Sequence, residues 1–289
     1  MKIKACVPVI LLVLLMSVGA LAQTKNPVGK RGLVKAVKVK GIHYTSTGNA
    51  KAKNALVFVH CWTCNSEFWK ANVSAFSEYR VITLDLPGHG QSEKPKVDYS
   101  MELFAEAVDT VMKHAGVKKA VLVGHSMGAP VIRKYYELYP AKTLGLVIVD
   151  GALLPFGPRD QVEKFFEPLF NDYKAGAATF IDGMLQTAHA DVRPFVRSSM
   201  LATPDHVAQS AMKQMLNDAY ATHGKITVPV LAVMAPSPMW PKDMEAQYRA
   251  TAPNLDYKMF EGVSHFLQLE KPREFNDAVR AFIVKNKLL

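Results

Sequence analysis

Acidic residues are absent from the start of the chain, because all 25 aspartates and glutamates follow His60. The formal net charge of +10 therefore comes from the basic residues that precede His60. Lysine and valine alternate in Val37-Lys38-Val39-Lys40, which is typical of the solvent face of an edge hairpin and discourages pairing with another sheet. We interpret the excess charge as a solvated basic face and not as a nucleic-acid site. Weak contact with an anionic surface is the alternative.

The apolar stretch near the start, at about residues 7–15, is short for a membrane span. Lys2 and Lys4 precede it, and Ala20-Leu21-Ala22 follows it as a small-x-small cleavage site. This pattern predicts a signal peptide over residues 1–22, with cleavage after Ala22 and no stable membrane anchor afterwards. The mature protein is then expected in a bacterial periplasm or outside the cell. An uncleaved anchor is the alternative.

Cysteine is scarce, and only Cys61 and Cys64 remain beyond the predicted signal peptide. In an oxidising compartment these two can form a short-loop disulfide, although the sequence does not choose between a disulfide and two free thiols. Redox catalysis is disfavoured, because a redox Cys-x-x-Cys motif opens the helix of a thioredoxin-like unit and these cysteines follow a strand. No cluster of histidines and acids has metal-ligand spacing, so the sequence predicts no metal and no cofactor.

Apolar runs alternate with amphipathic patterns along most of the chain. The predicted strands are 33–40, 42–46, 55–59, 81–84, 120–123, 144–149, 230–234 and 255–260. The predicted helices are 66–78, 101–115, 127–139, 241–251 and 272–286. This alternation predicts an α/β fold, with a mostly parallel sheet of about eight strands and helices on both faces.

The alternation breaks between residues 152 and 225, where several helical segments rich in methionine and phenylalanine replace it. We predict a helical cap, or lid, inserted after the sixth strand over residues 152–225. The core then has a first part at 23–151 and a second part at 226–289. No internal repeat interrupts this organisation.

The pentapeptide Gly124-His125-Ser126-Met127-Gly128 follows an apolar run and precedes a helical pattern that ends at Pro140. Gly-x-Ser-x-Gly between a strand and a helix is typical of a sharp turn that lifts the serine hydroxyl above the sheet. The two glycines allow strand and helix to approach closely. The helix N-terminus and the next backbone N–H can then stabilise an oxyanion. A chance glycine-rich turn is the alternative.

Three further motifs accompany this turn. They are His60-Cys61-Trp62-Thr63-Cys64-Asn65, Asp85-Leu86-Pro87-Gly88-His89-Gly90-Gln91-Ser92 and Gly262-Val263-Ser264-His265-Phe266. They resemble the oxyanion loop, the Asp-x-x-Gly-x-Gly-x-Ser turn and the histidine loop of the α/β-hydrolase superfamily. The resemblance extends from about residue 54 to residue 289 and implies the α/β-hydrolase fold. Within the superfamily, the chain resembles small serine carboxylesterases of the pimeloyl-ester carboxylesterase type.

The resemblance implies acyl-transfer chemistry. A serine hydroxyl is a poor nucleophile at neutral pH and needs a nearby base. Ser126 is the expected nucleophile, and His265 is the base that takes its proton and then delivers it to the leaving alcohol. The backbone N–H groups of Met127 and Trp62 are the expected oxyanion hole. Cys61 stands where the family has glycine, so the loop that carries Trp62 departs from the pattern.

The acid of the charge system is not at its usual place. The family usually has an aspartate just after the seventh strand, where this chain has Ser237 and Pro238. Some members carry the acid after the sixth strand, and Asp150 occupies that position here. We therefore predict Asp150 as the acid, with Asp243 as the alternative and the absence of an acid as the third option. His60, His89, His125 and Asp85 are assigned supporting roles by the resemblance.

These patterns predict a cofactor-free serine hydrolase that cleaves carboxylic esters through an acyl-enzyme. We expect His60, Trp240 and Met234 in a pocket for a small-molecule ester with an apolar acyl or aryl group. Lactone hydrolysis, carbon–carbon bond hydrolysis and cofactor-free haloperoxidase or perhydrolase activity are alternatives on the same framework. An alternative of another class is a non-catalytic binding protein whose site has decayed at Cys61 and Pro238.

Overall fold

The computed structural model describes residues 35–289, and their side chains from residue 40 onward. Its centre is one eight-stranded sheet with the order β1-β2-β4-β3-β5-β6-β7-β8. The strands are β1 (Lys35–Val39), β2 (Ile42–Gly48), β3 (Asn54–Val59), β4 (Arg80–Leu84), β5 (Lys119–His125), β6 (Thr143–Val149), β7 (Val230–Met234) and β8 (Leu255–Met259).

The sheet is antiparallel at one edge and parallel elsewhere. β1 pairs with β2, and β2 with β4, in antiparallel register, whereas every pair from β4 to β8 is parallel. The carboxyl ends of the parallel strands therefore meet at one edge, where open α/β sheets place their sites. The predicted α/β class and mostly parallel sheet are confirmed.

The described helices connect these strands. They are α1 (Lys70–Val73), α2 (Met101–Ala115), α3 (Gly128–Leu138), α4 (Arg159–Phe166), α5 (Pro168–Asn171), α6 (Tyr173–Met184), α7 (Arg193–Leu201), α8 (Asp205–Ala219), α9 (Met244–Thr251), α10 (Leu267–Glu270) and α11 (Pro272–Asn286). Short 3₁₀ helices span Ser66–Trp69, Ser74–Phe76 and Pro140–Lys142. The helix predicted over 66–78 is thus broken into three pieces, because Trp69 leaves the helical region with a ψ of 2°.

Both faces of the central strands are buried, which explains their continuous apolar runs. Along β3, Val57 and Val59 belong to the cluster that includes α2 and α3, whereas Leu56 and Phe58 belong to the cluster that includes α11. Because successive side chains of a strand point to opposite faces, the apolar residues of β3 alternate between the two hydrophobic clusters. Helix α2 shows local support as well, because the Ser100 side chain accepts a hydrogen bond from the Leu103 N–H and left-handed Gly116 ends the helix.

Between β6 and β7 the described chain is helical and includes α4 to α8. Side chains connect this insertion to the loops of the core. The Trp62 indole N–H donates to the Ala208 carbonyl at 2.8 Å, and the Thr203 hydroxyl donates to the Thr63 carbonyl at 3.0 Å. The insertion therefore packs on the loop that follows β3.

The predicted signal peptide and the first residues of the predicted hairpin lie outside the described residues. Among the helices of residues 35–289, none is long and apolar enough to cross a membrane.

Candidate active site

Ser126 lies in a sharp turn between β5 and α3. Its φ is 52°, a left-handed backbone conformation that L residues rarely adopt. The turn needs small neighbours: a Cβ on Gly124 would lie 2.3 Å from the Gly128 carbonyl oxygen, and one on Gly128 would lie 2.5 Å from that of Val59. The Ser126 N–H donates to the Val149 carbonyl at 2.9 Å, which ties the turn to β6. The close packing at Gly124 and Gly128 therefore holds Ser126 in this strained conformation.

His265 and Asp150 come from different loops and meet at the carboxyl ends of the strands. His265 lies between β8 and α10, and Asp150 directly follows β6. The His265 Nδ1 lies 2.6 Å from the Asp150 Oδ2, and the Asp150 side chain is only 3% exposed. A carboxylate on Nδ1 fixes the tautomer that leaves Nε2 free to accept a proton. The described contacts thus form a histidine–carboxylate pair.

The second oxygen of Asp150 is also engaged. Its Oδ1 accepts hydrogen bonds from the Ala235 backbone N–H at 2.9 Å and from the Trp240 indole Nε1–H at 3.2 Å. The sequence placed Trp240 in the pocket but did not predict this bond to the carboxylate. Only the fold of the segment after β7 directs the indole N–H towards Asp150.

The alternative acid, Asp243, lies elsewhere. Its side chain is exposed, and it accepts a hydrogen bond from the Gln247 amide at 2.9 Å, one turn along α9. No described contact joins it to His265. The structure therefore places Asp150, and not Asp243, beside the histidine.

The loop after β3 is closed by a bond between Cys61 and Cys64, whose Cα atoms are 5.2 Å apart. The sequence left this pairing open. Thr63 has a φ of 57°, and the Cys64 N–H donates to the Cys61 carbonyl at 3.1 Å. Cys61, which stands where the resemblance implies glycine, is thus part of a tight turn that the disulfide closes. Trp62 lies within this turn, and Met127 directly precedes α3, where the first N–H groups of a helix point outwards.

Three buried histidines support these loops. His60 Nε2 accepts from the Leu86 N–H at 2.9 Å, so its Nδ1–H donates to the Cys61 carbonyl at 2.8 Å. The His125 ring nitrogen Nε2 lies 2.7 Å from the His265 carbonyl oxygen and so holds that loop from behind Ser126. Burial lowers the pKa of each, well below the usual range for His125 and to about 3 for His89. These rings are therefore neutral donors and acceptors.

Asp85 belongs to the turn after β4. Its carboxylate accepts backbone N–H groups of Ser66 at 2.7 Å and Gln91 at 2.8 Å. Burial alone would raise the pKa of Asp85, but these hydrogen bonds outweigh it and the pKa lies below the usual value. Asp85 therefore binds two loops together as an anion and has no described contact with His265.

A cavity of about 1020 Å³ opens at this edge of the sheet. Ser126, His265 and Asp150 line it, as do Trp62 and Trp240. His60 and Met234 do not, contrary to the sequence-based expectation for the pocket. Both are fully buried: His60 points into the turn after β4, and Met234, the last residue of β7, packs in the hydrophobic core.

Aromatic rings form a continuous row along the cavity, which we call the aromatic arc. Its ring contacts run from Trp62 to Phe180 (5.8 Å between centroids), Phe166 (5.4 Å), Phe156 (6.3 Å) and Trp240 (6.0 Å). The arc begins in the loop after β3, passes through the insertion and ends beside Asp150. It gives the cavity an apolar wall.

Charged side chains of the cavity already have protein partners. Arg133 donates to the carbonyls of Leu153 and Gly224, and it is the only lysine or arginine among the described lining residues. His223 lies 2.6 Å from the Glu137 carboxylate. In the part of the chain that the structure describes, no group of three or more histidines, cysteines or acids is arranged to hold a metal ion.

The family model for the alpha/beta hydrolase fold matches residues 54–272. The chain belongs to this family. The predicted membership of a hydrolase family is thereby confirmed, and relatives by sequence and by structure bear names of hydrolases and esterases.

A relative from Paraburkholderia phymatum, a 2-hydroxy-6-oxononadienedioate/2-hydroxy-6-oxononatrienedioate hydrolase, is 26% identical over 270 residues. The alignment covers 84% of this chain and 90% of that protein. Among solved structures, a thermophilic esterase from Thermogutta terrifontis has a TM-score of 0.71 at 22% identity, covering 89% of this chain and 99% of that one. A bromoperoxidase from Bacillus anthracis has a TM-score of 0.73 at 20% identity, and the match covers 87% of this chain and 100% of that one. These structural likenesses show the fold.

Proposed function

We propose that the protein is a serine hydrolase that cleaves carboxylic esters through an acyl-enzyme. The observation that carries this proposal is the contact of 2.6 Å between His265 Nδ1 and Asp150 Oδ2, in the cavity that Ser126 also lines. A nucleophile, a base and an orienting acid facing one cavity are the groups that acyl transfer requires.

In the proposed reaction, His265 removes the proton of the Ser126 hydroxyl as the oxygen attacks the ester carbonyl carbon. The tetrahedral oxyanion receives hydrogen bonds from the backbone N–H groups of Met127 and Trp62, worth about 3 kcal/mol each when well aligned. The imidazolium, stabilised by Asp150, then protonates the leaving alcohol. Water repeats the sequence on the acyl-enzyme, releases the acid and restores Ser126.

The proposed substrate is a small ester with an apolar acyl or aryl group. The aromatic arc supplies an apolar wall, and the charge of Arg133 is paired with the Glu137 carboxylate, which lies 3.7 Å from the Arg133 Nε. The second point disfavours hydrolysis of dioate substrates, the class in the name of the Paraburkholderia relative. We further propose that residues 152–225 act as a lid over the cavity. Secretion or periplasmic export after cleavage at Ala22 completes the proposal.

Initial rates on p-nitrophenyl esters of graded acyl length test this function. We expect hydrolysis by the wild type, loss of activity in Ser126→Ala, and a fall of about 10³- to 10⁴-fold in kcat in Asp150→Asn, because an amide cannot hold the productive tautomer. Asp243→Asn is the matched control, since its carboxylate lies outside the site, and it should retain the wild-type rate. Activity that survives in Ser126→Ala would contradict the proposal.

A further inference from the structure

We propose that Trp240 is a positioning residue for Asp150. Its indole N–H holds the carboxylate, and its ring belongs to the aromatic arc of the cavity. This inference rests on the proposed function for its kinetic consequences. The structural half, an indole that holds the carboxylate, stands on the described contacts alone.

The first step is the hydrogen bonding of the carboxylate. Oδ2 faces His265, so the direction of that hydrogen bond depends on how firmly Oδ1 is held. Oδ1 has two described donors, the Ala235 N–H and the Trp240 indole N–H. The first belongs to the backbone that directly follows β7. The second comes from a side chain, so a side-chain substitution can remove it without altering the backbone.

The second step is what holds the indole. The backbone N–H of Trp240 donates to the Ser237 carbonyl at 3.2 Å, which folds the segment after β7 back towards the site. On the cavity side, the ring packs against Phe156 with centroids 6.0 Å apart. Phe156 in turn contacts Phe166 of α4. The orientation of the indole N–H is therefore set jointly by a core loop and by the insertion.

The third step is the expected size of the effect. Residues 235–240, which directly follow β7, contain no carboxylate, and this segment supplies Trp240 to the site. A hydrogen bond to a charged group that only orients another residue changes rates modestly. Loss of the indole N–H should lower kcat about five- to tenfold, far less than loss of the carboxylate itself. KM should change little, because phenylalanine preserves the ring contact.

Steady-state kinetics of Trp240→Phe test the coupling, with Phe156→Leu as a variant that keeps the indole N–H and removes the ring packed against it. We expect the lower kcat in Trp240→Phe, and in Phe156→Leu a higher KM with a smaller loss of kcat. In an Asp150→Ala background, Trp240→Phe should cause no further loss, because the acceptor is gone. An equal loss in both backgrounds would show a merely structural role and overturn the proposal, as would an unchanged kcat in Trp240→Phe.

A measurement without turnover separates this inference from the proposed function. The proton that His265 Nδ1 donates to Asp150 should give a far-downfield ¹H NMR resonance that Asp150→Ala abolishes. In Trp240→Phe we expect the resonance to shift and to broaden through faster exchange with water. An unaltered resonance in Trp240→Phe refutes the positioning role. If the wild type cleaves no ester but Trp240→Phe still alters the resonance, the proposed function fails and the positioning role stands.

Discussion

Three histidine side chains behind the site are fully buried. Because each binds a proton more readily in the unfolded chain, they make the free energy of unfolding depend on pH. Burial lowers the pKa of His60, His89 and His125, whereas in the unfolded chain each titrates near its ordinary value of 6.5. Between the lowered native pKa and 6.5, the unfolded chain binds more protons than the native protein does. The free energy of unfolding therefore falls as the pH falls below about 6.5 and is unaffected by these groups above it.

We expect the slope to reach about 1.4 kcal/mol per pH unit for each histidine that remains neutral in the native state. Urea denaturation at several pH values between about 7.5 and 5 measures it. His89→Asn should reduce the slope by about 1.4 kcal/mol per pH unit, which is the contribution of one bound proton. A free energy of unfolding that is constant over this range would contradict neutral, buried histidines.

Residue identities at the site differ in how far the sequence could predict them. Ser126 and His265 stand in motifs whose local backbone requirements are readable, such as two glycines around a strained turn. Asp150 required a comparison of two strand ends, and its role remains a prediction. The Trp240 hydrogen bond could not be predicted, because the direction of an indole depends on contacts between segments distant in sequence. The expectation that His60 and Met234 line the pocket is wrong, because a residue beside a site motif or at a strand end can still be fully buried.

At the scale of elements, α3 holds both ends of the helical insertion. Arg133 of α3 donates to the Leu153 carbonyl, just after β6, and to the Gly224 carbonyl, just before β7. Its side chain is almost fully buried, and burial lowers the pKa of the guanidinium. Two separate chain segments are thus fixed by one side chain. This explains why a helix that follows Ser126 carries a buried cation.

Arg133→Met should lower the free energy of unfolding by about 2–4 kcal/mol, because two carbonyls lose a charged donor. Thermal and urea denaturation measure the loss, and limited proteolysis between 152 and 225 should accelerate. Arg197→Met is the matched control: its ion pair with Asp182 is half exposed, so its removal should cost less than about 1 kcal/mol. Equal effects of the two substitutions would show that Arg133 does not hold the insertion.

At the scale of the whole molecule, the strand and helix order could be predicted because each central strand is buried on both faces. Long amphipathic helices were predicted with their observed bounds, as for α2 and α11. The single helix predicted over 66–78 is not observed. Trp69, where the helix breaks, is fully buried and packs against Phe58 and Phe275. Local periodicity does not contain such a tertiary constraint. The division into core and cap remains a prediction.

The central claim is that Asp150 and His265 activate Ser126. Covalent labelling by a fluorophosphonate, followed by mass spectrometry of the modified peptide, tests it most directly because no substrate has to be guessed. We predict one adduct on Ser126, none in Ser126→Ala, and labelling slowed by at least about 10²-fold in Asp150→Asn while Asp243→Asn labels at the wild-type rate. Absence of an adduct in the wild type, or equal labelling rates in Asp150→Asn and the wild type, would contradict the account.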